Sequence, residues 1–171
     1  YTPKATAMEG LYSKDRPLCM RWILAELNNA VTTINDALDK YQFADAAHAG
    51  KYFFQDQFCD VFVEYVKRIV SDENSKDREA AQETLYTCLE TTFRMLPPML
   101  PFITEELWQR LPRRSSDKAV SVMLAEYPQA NPTWNDTQAQ SDMKHVLEVA
   151  KVKSLKKQSL SHYYVNTFHV F

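Results

Sequence analysis

Glycine is nearly absent from this 171-residue chain, which holds only 2. Folds that press backbone against a dinucleotide, or that turn many tight hairpins, consume glycine. A doubly wound nucleotide-binding sheet and a β-rich architecture are therefore excluded. Cysteine is sparse as well. The 3 cysteines, Cys19, Cys59 and Cys88, are odd in number and far apart. They offer neither a disulfide framework nor zinc-ligand spacing, and we expect all of them to be reduced core residues in a reducing, intracellular setting. No apolar run approaches the ~18–20 residues that span a bilayer, and no signal-peptide pattern is present. An excess of one charge is missing too, because 20 Lys and Arg face 22 Asp and Glu for a net −2. That rules out a uniformly basic nucleic-acid binder but leaves room for a local positive surface.

What is present is ordinary for a folded domain: 45% hydrophobic and 25% charged residues. The length fits one domain, large enough to bury about two-thirds of its unfolded surface without a metal or disulfide. Residues 1–15 form a polar lead-in without periodicity. Asp15-Arg16-Pro17 then reads as a helix start with Pro17 in the first turn. Trp22, Ile23, Leu27, Ala30, Val31, Ile34, Ala37 and Leu38 follow at helical spacing. A second helix is expected over 45–70, with Phe53, Phe54, Phe58, Val61, Phe62, Tyr65 and Val66 inward. A third spans 77–96 and ends at the prolines of Leu96-Pro97-Pro98-Met99-Leu100-Pro101. A short fourth covers 102–111, stopped by Pro112. Residues 113–134 read as an irregular loop with a short extended piece over 120–124. A fifth helix occupies 135–158, and 159–171 is a tail without an assigned role. The fold class is all-α, a bundle of four to five helices with its core in 16–112.

Catalytic constellations are absent from the sequence. It has no Gly-rich phosphate loop, no nucleophile elbow, and no His or Cys pair at metal spacing. His48, His145, His162 and His169 are scattered. Glu105 and Glu106 are neighbours on one helix and diverge, so the helix dipole explains them. Asp60, Glu64, Lys67 and Arg68 read as a surface ion-pair row. Trp22, Phe58, Phe62, Phe93, Phe102 and Trp108 fall at apolar periodic positions and are expected to pack, with Leu107 and Trp108 closing the bundle end.

Several stretches together resemble one family. They are Arg21-Trp22-Ile23-Leu24, Tyr41-Gln42-Phe43-Ala44-Asp45-Ala46-Ala47, Phe53-Phe54-Gln55-Asp56-Gln57-Phe58-Cys59-Asp60 and Glu83-Thr84-Leu85-Tyr86-Thr87-Cys88-Leu89-Glu90. The most specific is Leu100-Pro101-Phe102-Ile103-Thr104-Glu105-Glu106-Leu107-Trp108-Gln109-Arg110-Leu111-Pro112-Arg113-Arg114. The Pro-Phe-x-x-Glu-Glu-Leu-Trp core is shared with leucyl and isoleucyl relatives. Its extension through Arg113-Arg114 resembles the anticodon-binding domain of valyl-tRNA synthetases, eukaryotic cytosolic type. The resemblance covers roughly residues 18–155. Met20 departs from the family's usual Asp, and Phe53 and Phe54 stand where Trp is common.

The resemblance implies a non-catalytic domain that binds the anticodon stem-loop of valine tRNA, in the cytoplasm, with no membrane or DNA partner. It implies that ATP and magnesium are used by a separate catalytic domain and that this chain holds no cofactor and no metal. It also implies that part of the base-reading surface lies on a helix preceding Arg21-Trp22. Reading unstacked loop bases requires exposed cations and exposed aromatics. The candidates are Arg21, Lys40, Tyr41, Lys51, Lys67, Arg68, Arg110, Arg113, Arg114, Lys151, Lys153, Lys156 and Lys157, with Lys144 beside the last group. The alternatives are the same domain of a leucyl or isoleucyl enzyme, or a helical scaffold that binds no RNA. Cations gathered on one face favour RNA; scattered ones favour the scaffold.

Overall fold

The computed structural model describes Pro3 and residues 11–151. Among these residues the secondary structure is helical and no strand occurs. Helix α1, Leu18–Asp39, runs antiparallel to a long second helix. That helix comprises α2 (Phe43–Lys51), a segment wound with i→i+5 hydrogen bonds (Tyr52–Val63), and α3 (Glu64–Ser71), without a break. Helix α4, Arg78–Met95, returns along both, and α5, Pro101–Arg110, follows the proline turn. A final helix, α6, occupies 137–151 within the described residues.

The expected helices are present, with their described ends shifted by a residue or two, while the expected end of the fifth at 158 and the tail 159–171 lie outside the described residues. Pro17 is the residue before α1, and its carbonyl accepts from Met20 and Arg21 N–H. The core is made by the α1 stripe of Trp22, Ile23, Leu27 and Ile34 against Phe53, Phe58, Phe62 and Met95. Ala46 and Gly50 let α2 approach α1 closely. A Cβ on Gly50 would come 2.6 Å from Leu96 Cδ2 and 3.7 Å from Ile34 Cδ1. The end of α4 therefore lies beside the start of the second helix.

The wide winding of Tyr52–Val63 changes which residues point inward. Ordinary α spacing would bury positions three and four apart. Here Phe53, Gln57, Phe58, Phe62 and Val66 are buried, at intervals of four, one, four and four. Phe58 stacks at 6.3 Å on Phe53, 5.8 Å on Phe54 and 6.0 Å on Phe62. Tyr65, expected inward, is exposed, and Phe54 and Val61 are only half-buried. Extended π winding is rare and usually limited to one turn.

Three other expectations are corrected. Phe102 is not core: it is 89% exposed, because Thr104 and Trp108, four residues apart, define the inward face of α5. Residues 120–124 are not extended but contain a 3₁₀ turn, Val122–Leu124, capped by Ser121. The lead-in is not merely polar, since Leu11 is buried in the main core. Cys19 and Cys88 are buried and Cys59 is half-buried, all as free thiols. Burial pushes the Cys19 thiol up to about 12 and raises Cys88 further.

Candidate nucleic-acid interface

The hairpin joining α1 to α2 carries the strongest local signal. Gln42 N–H reaches the Ala37 carbonyl at 2.8 Å and Tyr41 N–H reaches Leu38 at 3.0 Å. These two bonds are the Schellman pair that closes a helix. The closing residue must adopt a left-handed conformation, normally supplied by glycine. Here it is Tyr41, with φ 57°, the one non-glycine residue of positive φ among the described residues. Such strain costs on the order of 1–2 kcal/mol, is held in place by the surrounding structure, and clusters at functional sites. The ring it carries is 80% exposed. Phe43 stands beside it, also exposed, with ring centroids 6.4 Å apart at 72°. Lys40, His48, Lys51 and Tyr52 are exposed on the same hairpin and the turns after it, together with Asp39 and Asp45. The hairpin is thus distinguished by bare aromatic rings rather than by net charge.

The other expected cations divide by their surroundings. Lys67 and Arg68 are exposed farther along the second helix, with Lys67 paired to Glu64. Arg110 is exposed on α5 and paired to Glu106. Lys144 and Lys151 are exposed on α6. Lys153, Lys156 and Lys157 lie outside the described residues. Arg21 is half-buried and bonded to Asp136 at 2.7 Å and 2.8 Å.

Two candidates expected as exposed cations are instead drawn into contacts within the fold. Arg114 is 5% exposed, donating to Glu83 and Glu90 at 2.9 Å each and to Thr87 at 3.2 Å, with its guanidinium 4.5 Å from the Tyr86 ring centre. Arg113 lies 3.5 Å over the Trp108 ring and donates to the Ala119 carbonyl and to Gln109. Arg94 adds bonds to Glu90 at 3.0 Å and Asp117 at 2.7 Å, and the Tyr86 hydroxyl donates to the Pro112 carbonyl at 2.6 Å. The Pro112-Arg113-Arg114 block is a clamp that fastens the chain after α5 onto α4.

A second fastening was not foreseen from apolar spacing. Arg21, Asn28 and Asn35 recur every seven residues on α1, and all three hold the segment 128–136. Arg21 pairs with Asp136. Asn28 accepts from Asn131 N–H at 2.6 Å and donates to Asn135 Oδ1 at 2.6 Å, while Asn35 donates to the Pro128 carbonyl at 3.1 Å. Polar residues at heptad spacing within an apolar helix were the available clue. Glu26 similarly accepts from Gln57 at 2.6 Å and Gln140 at 3.2 Å, tying α1 to the π-wound segment and α6.

Among the described residues no group of three or more His, Cys, Asp or Glu side chains could hold a metal, and no helix is long and apolar enough to cross a membrane. With this geometry in view, comparison with known families is decisive. The model described as "Anticodon-binding domain of tRNA ligase" matches residues 20–161. The chain belongs to that family. A mitochondrial valine–tRNA ligase of Arabidopsis thaliana is 38% identical over 155 residues, covering 88% of the chain and 14% of the plant protein. The human valine–tRNA ligase is 34% identical over 158 residues, covering 91% and 12%. That of Bacillus licheniformis is 32% identical over 147 residues, covering 85% and 16%. This anticodon-binding domain thus spans only a small part of the length of the relatives it matches.

Proposed function

We propose that this domain grips the anticodon stem-loop of valine tRNA on behalf of a valine–tRNA ligase. In such a ligase a catalytic part, which uses ATP and magnesium, attaches valine to the tRNA. The domain contributes position rather than chemistry. Binding energy gathered at the anticodon orients the distant acceptor end. The observation that carries the reading is the strained Tyr41, held with Phe43 as a pair of bare rings on a domain of this family. Unstacked loop bases lie on such rings, and Lys40 and Lys51 stand within the same hairpin to meet phosphates. The relatives' names include mitochondrial ligases, so cytosol and mitochondrial matrix both accommodate the reduced cysteines.

The test is binding of a valine-tRNA anticodon stem-loop, against a loop of altered anticodon, across a salt series. Log affinity is expected to fall with log salt at a slope near −0.7 per phosphate neutralised, and to drop when the anticodon changes. Tyr41→Gly separates this role from a structural one. It relieves a left-handed strain of ~1–2 kcal/mol and adds chain entropy worth ~0.5–1 kcal/mol, so stability is unchanged or rises by up to about 1.5 kcal/mol. Binding falls roughly 5- to 150-fold, as loss of one stacked base predicts. Unchanged affinity in Tyr41→Gly and Phe43→Ala would remove the hairpin from the interface.

A further inference from the structure

Two buried donors have no acceptor among the described residues: the indole N–H of Trp134 and the Nε–H of Arg94. Both residues line one cleft of about 390 Å³, set between α1, α4 and the arm 126–134. The arm is tied down along its length. Tyr127 donates to the Met95 carbonyl at 2.7 Å, Asn35 holds the Pro128 carbonyl, and Asn28 holds the Asn131 N–H. Val31, Pro128, Pro132 and Trp134 give the cleft apolar walls, and Glu126 and Gln129 are its exposed polar lining. A sealed N–H without a partner weakens a fold, so two of them on one cleft call for an explanation. Both nitrogens are shielded, and an acceptor reaches them by entering the cleft and parting its wall slightly.

We propose that this cleft takes one unpaired nucleobase. Charge disfavours an anion. Arg94 is the cation among the described lining residues, and its Nη2 already serves Glu90 at 3.0 Å and Asp117 at 2.7 Å. With that charge balanced and Glu126 nearby, a phosphate or carboxylate gains little. A neutral carbonyl or ring nitrogen suits the two spare N–H groups. A base edge carries such acceptors and amine donors side by side, and Gln129 and Glu126 offer an amide and a carboxylate to match them. The flat faces of a base pack on apolar walls. The volume falls at the small end of the ~300–1,000 Å³ range of ligand pockets, room for a single nucleoside rather than a strand. An anticodon loop is the source of the base, a choice that rests on the function proposed above. Val31 precedes Tyr41 by ten residues, ~15 Å along the helix, a span that a few nucleotides bridge. The hairpin rings then hold the loop from outside while the cleft encloses a second base.

The Trp134 indole proton reports on the cleft by NMR, with Trp134→Phe identifying its signal among those of the 3 tryptophans. Two kinds of probe are titrated into the chain. One is the valine-tRNA anticodon stem-loop, intact and with a single loop base removed at each position in turn. The other is each of the common ribonucleosides alone. The intact stem-loop is expected to move the Trp134 indole signal while those of Trp22 and Trp108 stay, and one of the base-less loops is expected to leave it unmoved. Trp134→Phe keeps a flat ring and removes the donor. It should weaken the intact stem-loop roughly 2- to 10-fold, the worth of one neutral hydrogen bond, and cost nothing further with that one base-less loop. Stem-loop binding with a still Trp134 signal, or with costs that add at every loop position, overturns the proposal and leaves the hairpin reading standing. A signal that answers a nucleoside but not the bound stem-loop supports the base chemistry and overturns the loop as its source. No stem-loop binding even at low salt overturns the anticodon reading instead. The nucleosides then decide the cleft alone, and a Trp134 signal unmoved by all of them overturns it.

Discussion

Asp136 serves two structures with its two oxygens. Oδ1 accepts from Ala139 N–H at 2.9 Å and so caps α6, while Oδ2 accepts from the Tyr12 hydroxyl at 2.7 Å and from the Arg21 guanidinium. Burial pushes the carboxyl up. The Ala139 N–H, the Tyr12 hydroxyl and the Arg21 charge together outweigh it and hold the group below its usual range. A carboxyl depressed on folding stabilises the fold fully above its unfolded value of about 3.9. That contribution is lost as pH falls through the lower, folded value. Asp136→Asn keeps the cap oxygen and removes the charge. It should cost about 2 kcal/mol at pH 7, the scale of hydrogen bonds to a charged group. The difference from wild type should shrink toward zero as unfolding is measured at successively lower pH. A gap that stays constant with pH would assign the loss to packing instead.

At the scale of elements, the π-wound segment and the arginine clamp do the arranging. Phe58 sits at the centre of three ring contacts, so Phe58→Ala should cost about 3–5 kcal/mol in urea unfolding. Phe54→Ala, which removes a half-buried ring from the rim of the same stack, should cost clearly less. Equal costs would mean that the segment is wound as an ordinary α-helix, which brings both rings equally inward. Arg114→Ala strands Glu83 and Glu90 on α4 without their main partner. Breaking a buried ion pair from one side costs about 3–5 kcal/mol. The same change should leave stem-loop affinity per folded molecule intact, because the Arg114 side chain is enclosed. A loss of affinity with full stability would instead make it an RNA contact.

Considered as a whole, the molecule shows which signals a sequence carries openly. The stripes of α1 and α4 are legible because their apolar residues recur at the helical period and bury accordingly. Phe102 misleads because an apolar residue in an apolar block looks like core. Only the pairing of Thr104 with Trp108, one turn apart, fixes which side of α5 faces in. Residues 120–124 look extended locally, yet the Glu105 carboxylate captures the Val122 N–H and turns them, a long-range event no local propensity records. Arg21, Asn28 and Asn35 look like solvated residues until the returning 128–136 segment is known. The candidate residues divide in the same way. Lys40, Tyr41 and Lys51 are brought to one hairpin, with Phe43 and Tyr52 joining them as exposed rings. Arg114 is withdrawn into ion pairs that require α4 and the loop to meet.

The Tyr12–Arg21–Asp136 junction has a consequence in time. Its partners are separated by 115 and 124 positions. A ribosome adding ~5–20 residues per second needs on the order of ten seconds between Arg21 and Asp136. During that interval α1 can pair with the second helix and α4, while the polar row of Arg21, Asn28 and Asn35 waits in water. Those three side chains keep the seam of the young bundle hydrated until the segment 128–136 emerges and covers it.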